Sequence, residues 1–261
     1  MPWPAEEVVL SLEKITVEFD GFRAVNGMDL SLRKNEVHFL IGPNGAGKTT
    51  MLDVMCGKAR PASGRILFRD RIDLSKKKEH QIAQLGIGRK FQAPSIFSEL
   101  TVEENLALSL QKKKGVFSVL FARRKEEDAR AIERMLSTIG LGEVSGRRAG
   151  GLSHGQKQWL EIGMLLIQEP AVVLLDEPVA GMTDAETEKT GELLRRISVD
   201  RCVLVVEHDM EFVRQFAGKV TIMHEGKLLM EGTMDEVQAD ARVAEVYLGK
   251  RRDADVVGAP A

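Results

Sequence analysis

The sequence predicts an α/β fold, with a parallel-sheet core, an antiparallel β region and an inserted block of helices. Three observations carry that prediction. Val37-His38-Phe39-Leu40-Ile41, Val172-Val173-Leu174-Leu175 and Cys202-Val203-Leu204-Val205-Val206 are short apolar runs with little alternation, as in parallel strands covered on both faces. Nearer the N-terminus, Val17 and Phe19 alternate with Thr16, Glu18 and Asp20, and Met28, Leu30 and Leu32 alternate with polar residues, the pattern of antiparallel strands. From about Ala93 to Gln168 the composition becomes helical.

The elements follow in order. After the two alternating segments, the run ending at Ile41 reads as a buried strand, and Thr49-Thr50-Met51-Leu52-Asp53-Val54-Met55 reads as a helix. Gly64-Arg65-Ile66-Leu67-Phe68 is a further short strand. Within the helical block, Glu127 to Ile139 places Ala131, Met135 and Ile139 on one face. Four helix starts carry the pattern Ser/Thr-x-x-Glu/Gln, in which each side chain satisfies the other's free backbone N–H: Thr101 with Glu104, Ser153 with Gln156, Thr183 with Glu186, and Thr233 with Glu236.

Bulk properties narrow the function classes. A chain of 261 residues holds one large α/β domain or a core with a smaller subdomain. A formal charge of −2, with 29% charged residues, gives no reason to expect a nucleic-acid partner. Cys56 and Cys202 lie in apolar segments and read as buried thiols of a reduced cytosolic protein. No stretch approaches the roughly 20 apolar residues that span a bilayer, and no secretory leader is expected. There is no internal repeat, and Lys76-Lys77-Lys78 and Lys112-Lys113-Lys114 read as solvated surface.

Chemistry enters at Gly42-Pro43-Asn44-Gly45-Ala46-Gly47-Lys48-Thr49, a complete G-x-x-x-x-G-K-[ST] loop between a strand and a helix. That spacing wraps backbone N–H groups around a nucleotide's phosphates. Lys48 reaches the β- and γ-phosphates, and the Thr49 hydroxyl can ligate Mg²⁺. The helix from Thr49 and Thr50 turns its positive end toward the same anions. Asp176-Glu177 follows the second buried run, so both carboxylates reach the strand-end edge where the loop lies. Asp176 is placed to hold Mg²⁺, directly or through water, and Glu177 to orient and deprotonate an attacking water. In Leu152-Ser153-His154-Gly155-Gln156, Ser153 caps a helix whose N–H groups, with Gly155 allowing close approach, form a second anion site.

These three motifs, in this order, resemble the signature set of ATP-binding cassette (ABC) ATPases, and the resemblance runs from the first strands to about Gly249. It implies a P-loop NTPase (RecA-like) parallel-sheet core with an antiparallel β subdomain and an inserted α-helical subdomain. The implied ABC ATPase domain spans 8–249: residues 8–36 and 60–72 form the β subdomain, and 37–59, 73–92 and 169–232 the nucleotide-binding core. Residues 93–168 form the helical subdomain, 233–249 a C-terminal helix, and 250–261 a flexible tail. It further implies ATP and Mg²⁺ as cofactors, with Phe19 stacking on adenine. Gln92 joins core to helical subdomain and senses Mg²⁺ and the attacking water, and His208 contacts the γ-phosphate and Glu177. Gln156 belongs to the same signature. His38, His80 and His224 have no metal-like spacing and read as structural.

By the same resemblance, two subunits, identical or paralogous, pack head to tail. Each ATP then lies between one phosphate loop and the other subunit's Ser153 loop. Closure drives two integral-membrane permease subunits, served by a periplasmic solute-binding protein, with the chain peripheral at the cytoplasmic face of the inner membrane. Two departures stand out: His154 replaces the second glycine of Leu-Ser-Gly-Gly-Gln, and Thr183 stands where many members carry Asp or Asn. Phe91-Gln92-Ala93-Pro94-Ser95-Ile96-Phe97, the Thr101–Leu106 helix start and the ending Glu231-Gly232-Thr233…Val243…Tyr247-Leu248-Gly249 are similar to the branched-chain-amino-acid uptake family. Within it, Gln156 to Met164 and Gly181 to Thr187 are similar to the urea-type subunit, which makes urea or a short-chain amide the expected solute, with branched-chain amino acids as the alternative and a soluble, non-transport ABC ATPase as the lesser one. Of Ile96, Phe97, Val102 and Leu106, part is expected to form a groove for a helix of the membrane subunit and the rest to pack inside the helical subdomain. Phe117 to Phe121 reads as a subdomain helix.

Overall fold

A computed structural model describes residues 8–90, 96–111 and 126–246. Gln92, Lys112-Lys113-Lys114, Phe117 to Phe121 and the expected tail lie outside the described residues. The N-terminal alternation becomes two long strands, β1 (Val8–Phe19) and β2 (Phe22–Arg33), turned at Asp20-Gly21. Then follow β3 (Glu36–Ile41), α1 (Lys48–Met55), β4 (Ser63–Phe68), β5 (Ile72–Asp73), α2 (Glu79–Gln84) and β6 (Ile87–Arg89). The inserted block supplies α3 (Val102–Gln111), α4 (Glu126–Ile139) and α5 (His154–Leu166). The chain returns through β7 (Val172–Asp176), α6 (Asp184–Ser198), β8 (Cys202–Val206), α7 (Met210–Phe216), β9 (Lys219–His224), β10 (Lys227–Gly232) and α8 (Met234–Ala239).

Two sheets result. One is antiparallel in the order β2-β1-β4-β5; the other runs β10-β9-β3-β8-β7-β6, parallel except for the β9–β10 hairpin. Every residue of β7 and β8 is buried, which explains their unbroken apolar runs. Alternate side chains serve different layers. Phe39, Ile41, Val173, Leu175, Val203 and Val205 pack with the helices of the insertion and with α6 and α7, whereas Leu40, Leu174, Leu204 and Val206 pack with α1 and the antiparallel sheet. Each such Val or Leu withdraws apolar surface worth about 1.5–3 kcal/mol, so the central sheet is the rigid part of the molecule.

All four predicted capping boxes form, with hydrogen bonds in both directions at Thr101/Glu104, Ser153/Gln156, Thr183/Glu186 and Thr233/Glu236. Two expectations need correction. The buried face of α4 is Ile132, Leu136 and Ile139; Ala131 and Met135 only flank it, because an apolar stripe is wide enough to leave its edge half-exposed. The helix expected over 233–249 stops at Ala239. Asp240 is extended there (ψ 118°), and its carboxylate caps a new helical segment by accepting from Arg242 N–H at 2.8 Å. In the cluster expected to divide between a groove and internal packing, Val102 and Leu106 are fully buried between the helices and only Phe97 is openly exposed.

One buried polar chain crosses the sheet edge. His38 Nε2 meets the Thr221 hydroxyl at 2.7 Å; Thr221 donates to Glu231 at 2.9 Å, and Glu231 pairs with Lys219. Burial lowers the His38 pKa from 6.5 to about 4, with Glu231 opposing and Lys219 reinforcing the shift. Between those two values the unfolded chain binds a proton that the folded chain refuses, so stability is lost as pH falls from 6.5 toward 4. We therefore expect urea unfolding at pH about 5 to give a stability smaller than at pH about 7.5, and His38→Gln to remove about 2 kcal/mol of that difference. An unchanged pH slope in the variant would contradict the assignment.

Candidate functional site

The register of three adjacent strands builds the site. Leu40 of β3 lies opposite Val206 of β8, and Val206 lies opposite Asp176 of β7. All three strands run the same way, so the segments that leave them emerge side by side: the loop Gly42 to Thr49 after β3, Glu177 after β7, and Glu207-His208 after β8.

The loop has the expected shape. Gly47 caps α1 with φ 98°, a left-handed conformation, and a Cβ there would sit 2.5 Å from the Ala24 carbonyl of β2. That close approach ties the β1–β2 hairpin to the loop. Phe19, at the hairpin tip, is 50% exposed. No side chain caps α1, and the positive end of a helix favours a nearby anion. The Lys48 ammonium donates to the carbonyls of Gly42 at 2.8 Å and Pro43 at 3.1 Å, curled within its own loop. Pro43 is half-buried, Asn44, Gly45 and Thr49 are exposed, Thr50 is half-buried and Ala46 is buried.

Asp176 is buried at the strand end, and a side chain that sequence reasoning missed holds it. Arg89, at the end of β6, donates to Asp176 Oδ2 at 3.3 Å and to Asp53 Oδ1 of α1 at 2.5 Å. Burial nevertheless pushes the Asp176 carboxyl above the usual range; Arg89 opposes the shift, and the neighbouring Glu177 adds to it. Among the described residues no group of three or more His, Cys, Asp or Glu side chains can hold a metal alone. One carboxylate with the Thr49 hydroxyl suits Mg²⁺, which takes few protein oxygens and draws others from phosphates and water.

Glu177 has φ 47°, a strained angle for a non-glycine residue, and its N–H is fixed by the Val206 carbonyl at 2.9 Å. Its carboxylate reaches His208 Nδ1 at 3.6 Å. Glu207, also missed, is 1% exposed and accepts from the backbone N–H groups of Val179 and His208, both at 3.2 Å. Its burial raises its pKa while those N–H groups oppose the rise. Glu207 thus links the segment after Glu177 to the segment holding His208.

Ser153 stands apart from this edge, at the start of α5. Its oxygen accepts from Gln156 N–H at 3.2 Å, and its hydroxyl donates to Glu186 of α6 at 3.0 Å. His154 Nε2 lies 3.0 Å from the Ala180 carbonyl. A Ser-x-x-Gln pattern exposed the cap, but nothing local indicated that a carboxylate 33 residues on closes over it. Arg89 was equally hidden, since Gly88-Arg89-Lys90 reads as a surface pair of cations. For Glu207 the signal existed: an acid between a buried strand and His208.

Comparison with known proteins agrees with this geometry. Residues 25–180 match the family model "ABC transporter", and residues 227–253 match "Branched-chain amino acid ATP-binding cassette transporter". The chain is 36% identical over 251 residues to the high-affinity branched-chain amino acid transport ATP-binding protein LivG of Salmonella typhimurium, covering 93% of this chain and 98% of that protein. It is 32% identical to BraF of Pseudomonas aeruginosa, described in the same words, with the same coverage. Among solved structures, an ATP-binding cassette of an ABC transporter in its ADP conformation superposes with TM-score 0.82 at 29% identity, covering 93% of this chain and 99% of that one.

Removing Arg89 leaves Asp176 buried without its cation. Arg89→Leu should lower the unfolding free energy by about 3 kcal/mol in urea titrations, and adding Asp176→Asn should recover part of the loss. Equal stability of Arg89→Leu and the parent chain would refute a structural role for the pair.

Proposed function

The chain belongs to the ABC transporter ATPase family, and on that premise we propose that it powers solute import by closing head to tail on a second ATPase subunit around ATP. That it is an ATP-hydrolysing transport ATPase follows from the family. The observation that carries the mechanism is the strand register that sets the phosphate loop, Asp176-Glu177 and His208 at one edge while Ser153 caps a separate helix.

In the proposed cycle Lys48 leaves the Gly42 and Pro43 carbonyls for the β- and γ-phosphates, and Phe19 stacks on the adenine. Thr49 and Asp176, with Gln92, would hold Mg²⁺, whose charge offsets that of the phosphates when it is bound. Glu177 orients and deprotonates the attacking water, and His208, already beside Glu177, steadies that carboxylate and the γ-phosphate. Ser153, Gly155 and Gln156 complete the partner's site. Binding favours the closed pair and hydrolysis releases it. Exposed Phe97, in the segment before α3, and Leu108, on α3, supply apolar surface for two membrane-embedded permease subunits, which would hold the chain at the cytoplasmic face. Among the described residues no helix is long and apolar enough to cross a membrane. A periplasmic binding protein would deliver the solute.

The relatives' names support branched-chain amino acids as the solute, in place of the urea expected from sequence. A urea or short-chain amide reading keeps one support, the likeness of Gln156 to Met164 and Gly181 to Thr187 to the urea-type subunit. Two measurements test the proposal. In the purified complex with its membrane partners and binding protein, leucine is expected to stimulate ATP turnover and urea not to. The reverse would transfer the assignment to urea, and stimulation by neither would remove both. Glu177→Gln should abolish steady-state turnover and leave an ATP-stabilised dimer; turnover at the parent rate would exclude Glu177 as the base.

A further inference from the structure

The anion site at the start of α5 is filled by the chain itself. Glu186 Oε1 accepts the Ser153 hydroxyl proton at 3.0 Å, while its Oε2 accepts from Thr183 N–H and the Thr183 hydroxyl, both at 3.1 Å. A Cβ on Gly155 would overlap the Glu186 carboxylate, so the glycine leaves room for that group. His154 draws the two segments together from the other side through the Ala180 carbonyl at 3.0 Å. The serine hydroxyl and the positive end of α5 therefore face an oxyanion already, and that oxyanion is a side chain.

We propose that Glu186 is a positioning residue for the nucleotide site: its carboxylate occupies the hydrogen bond that Ser153 makes to the partner's γ-phosphate, and so sets the ATP concentration at which two subunits close. This rests on the head-to-tail reading above. A hydroxyl has one proton to donate, so Ser153 serves Glu186 or phosphate and not both. Two anions at one helix end also repel, so Glu186 must swing away, or be held off, as phosphate arrives. The departure at His154 acquires a function here, because its ring keeps the loop before α6 against the start of α5 and keeps Glu186 within reach. Arrival of phosphate would release Glu186 and with it the loop Ala180 to Thr183.

The substitution Glu186→Gln separates this role from helix capping, since Gln serves equally well as the third helical residue of a capping box. In full-length Glu177→Gln protein, ATP-driven association is followed by sedimentation velocity with and without Glu186→Gln. The ATP midpoint should fall by about fivefold, the size expected of one partly exposed charge-assisted hydrogen bond lost from the open state. Thermal midpoints of the two proteins should agree, whereas Glu186→Ala, which also removes the cap, should melt earlier. Association of the Glu177→Gln parent with an unmoved or raised midpoint in the Glu186→Gln protein overturns the role of Glu186 alone. No ATP-driven association of the parent at any concentration overturns the head-to-tail reading, and the Glu186 proposal falls with it.

Discussion

Everything at the catalytic edge depends on one constraint, the pairing of β3, β8 and β7 in parallel with Leu40, Val206 and Asp176 in one row. A strand buried on both faces cannot slip by one residue without sending its core side chains to the wrong layer. The apolar layers above and below the sheet therefore set the register, and the register sets which loops meet. Chemistry at the edge inherits its precision from packing far from the phosphates.

Charge at that edge is handled by pairing rather than by exposure. Arg89 is shared between Asp53 and Asp176, so one cation from β6 joins α1, which follows the phosphate loop, to the strand end that precedes Glu177. Glu207 does the complementary task with backbone donors, holding Val179 and His208 N–H groups at 3.2 Å each. Both groups are largely withdrawn from water, where an unmet partner is costly and a met one is rigid. The strained Glu177, at φ 47°, follows Asp176 directly and is held by its own N–H to Val206. Such strain persists because its surroundings over-determine it.

The second anion site follows a different logic. Ser153 and the start of α5 lie at the surface, partly screened, and their present partner is the movable side chain Glu186. Exchange there is cheap compared with exchange at Asp176. A rigid edge and an exchangeable one suit the head-to-tail closure proposed above.

The sequence by itself determined the periodicities, the four caps, the phosphate loop and the order of the motifs, because each depends on residues within a few positions of one another. It also brought out Asp176 and Glu177, since a polar group just after a buried run must stand at a strand end, whereas His208 came from the family resemblance. What it missed has two origins. The edge of the α4 stripe and the break at Asp240, where the carboxylate accepts from Arg242 N–H, are local; the burial of Val102 and Leu106 and the partners Arg89, Glu207 and Glu186 are set by segments distant in the chain. Arg89 meets Asp176 across 87 positions, and no local pattern records that meeting. Only the tertiary structure decided which charges are paired, because pairing depends on which surfaces the two apolar layers force together.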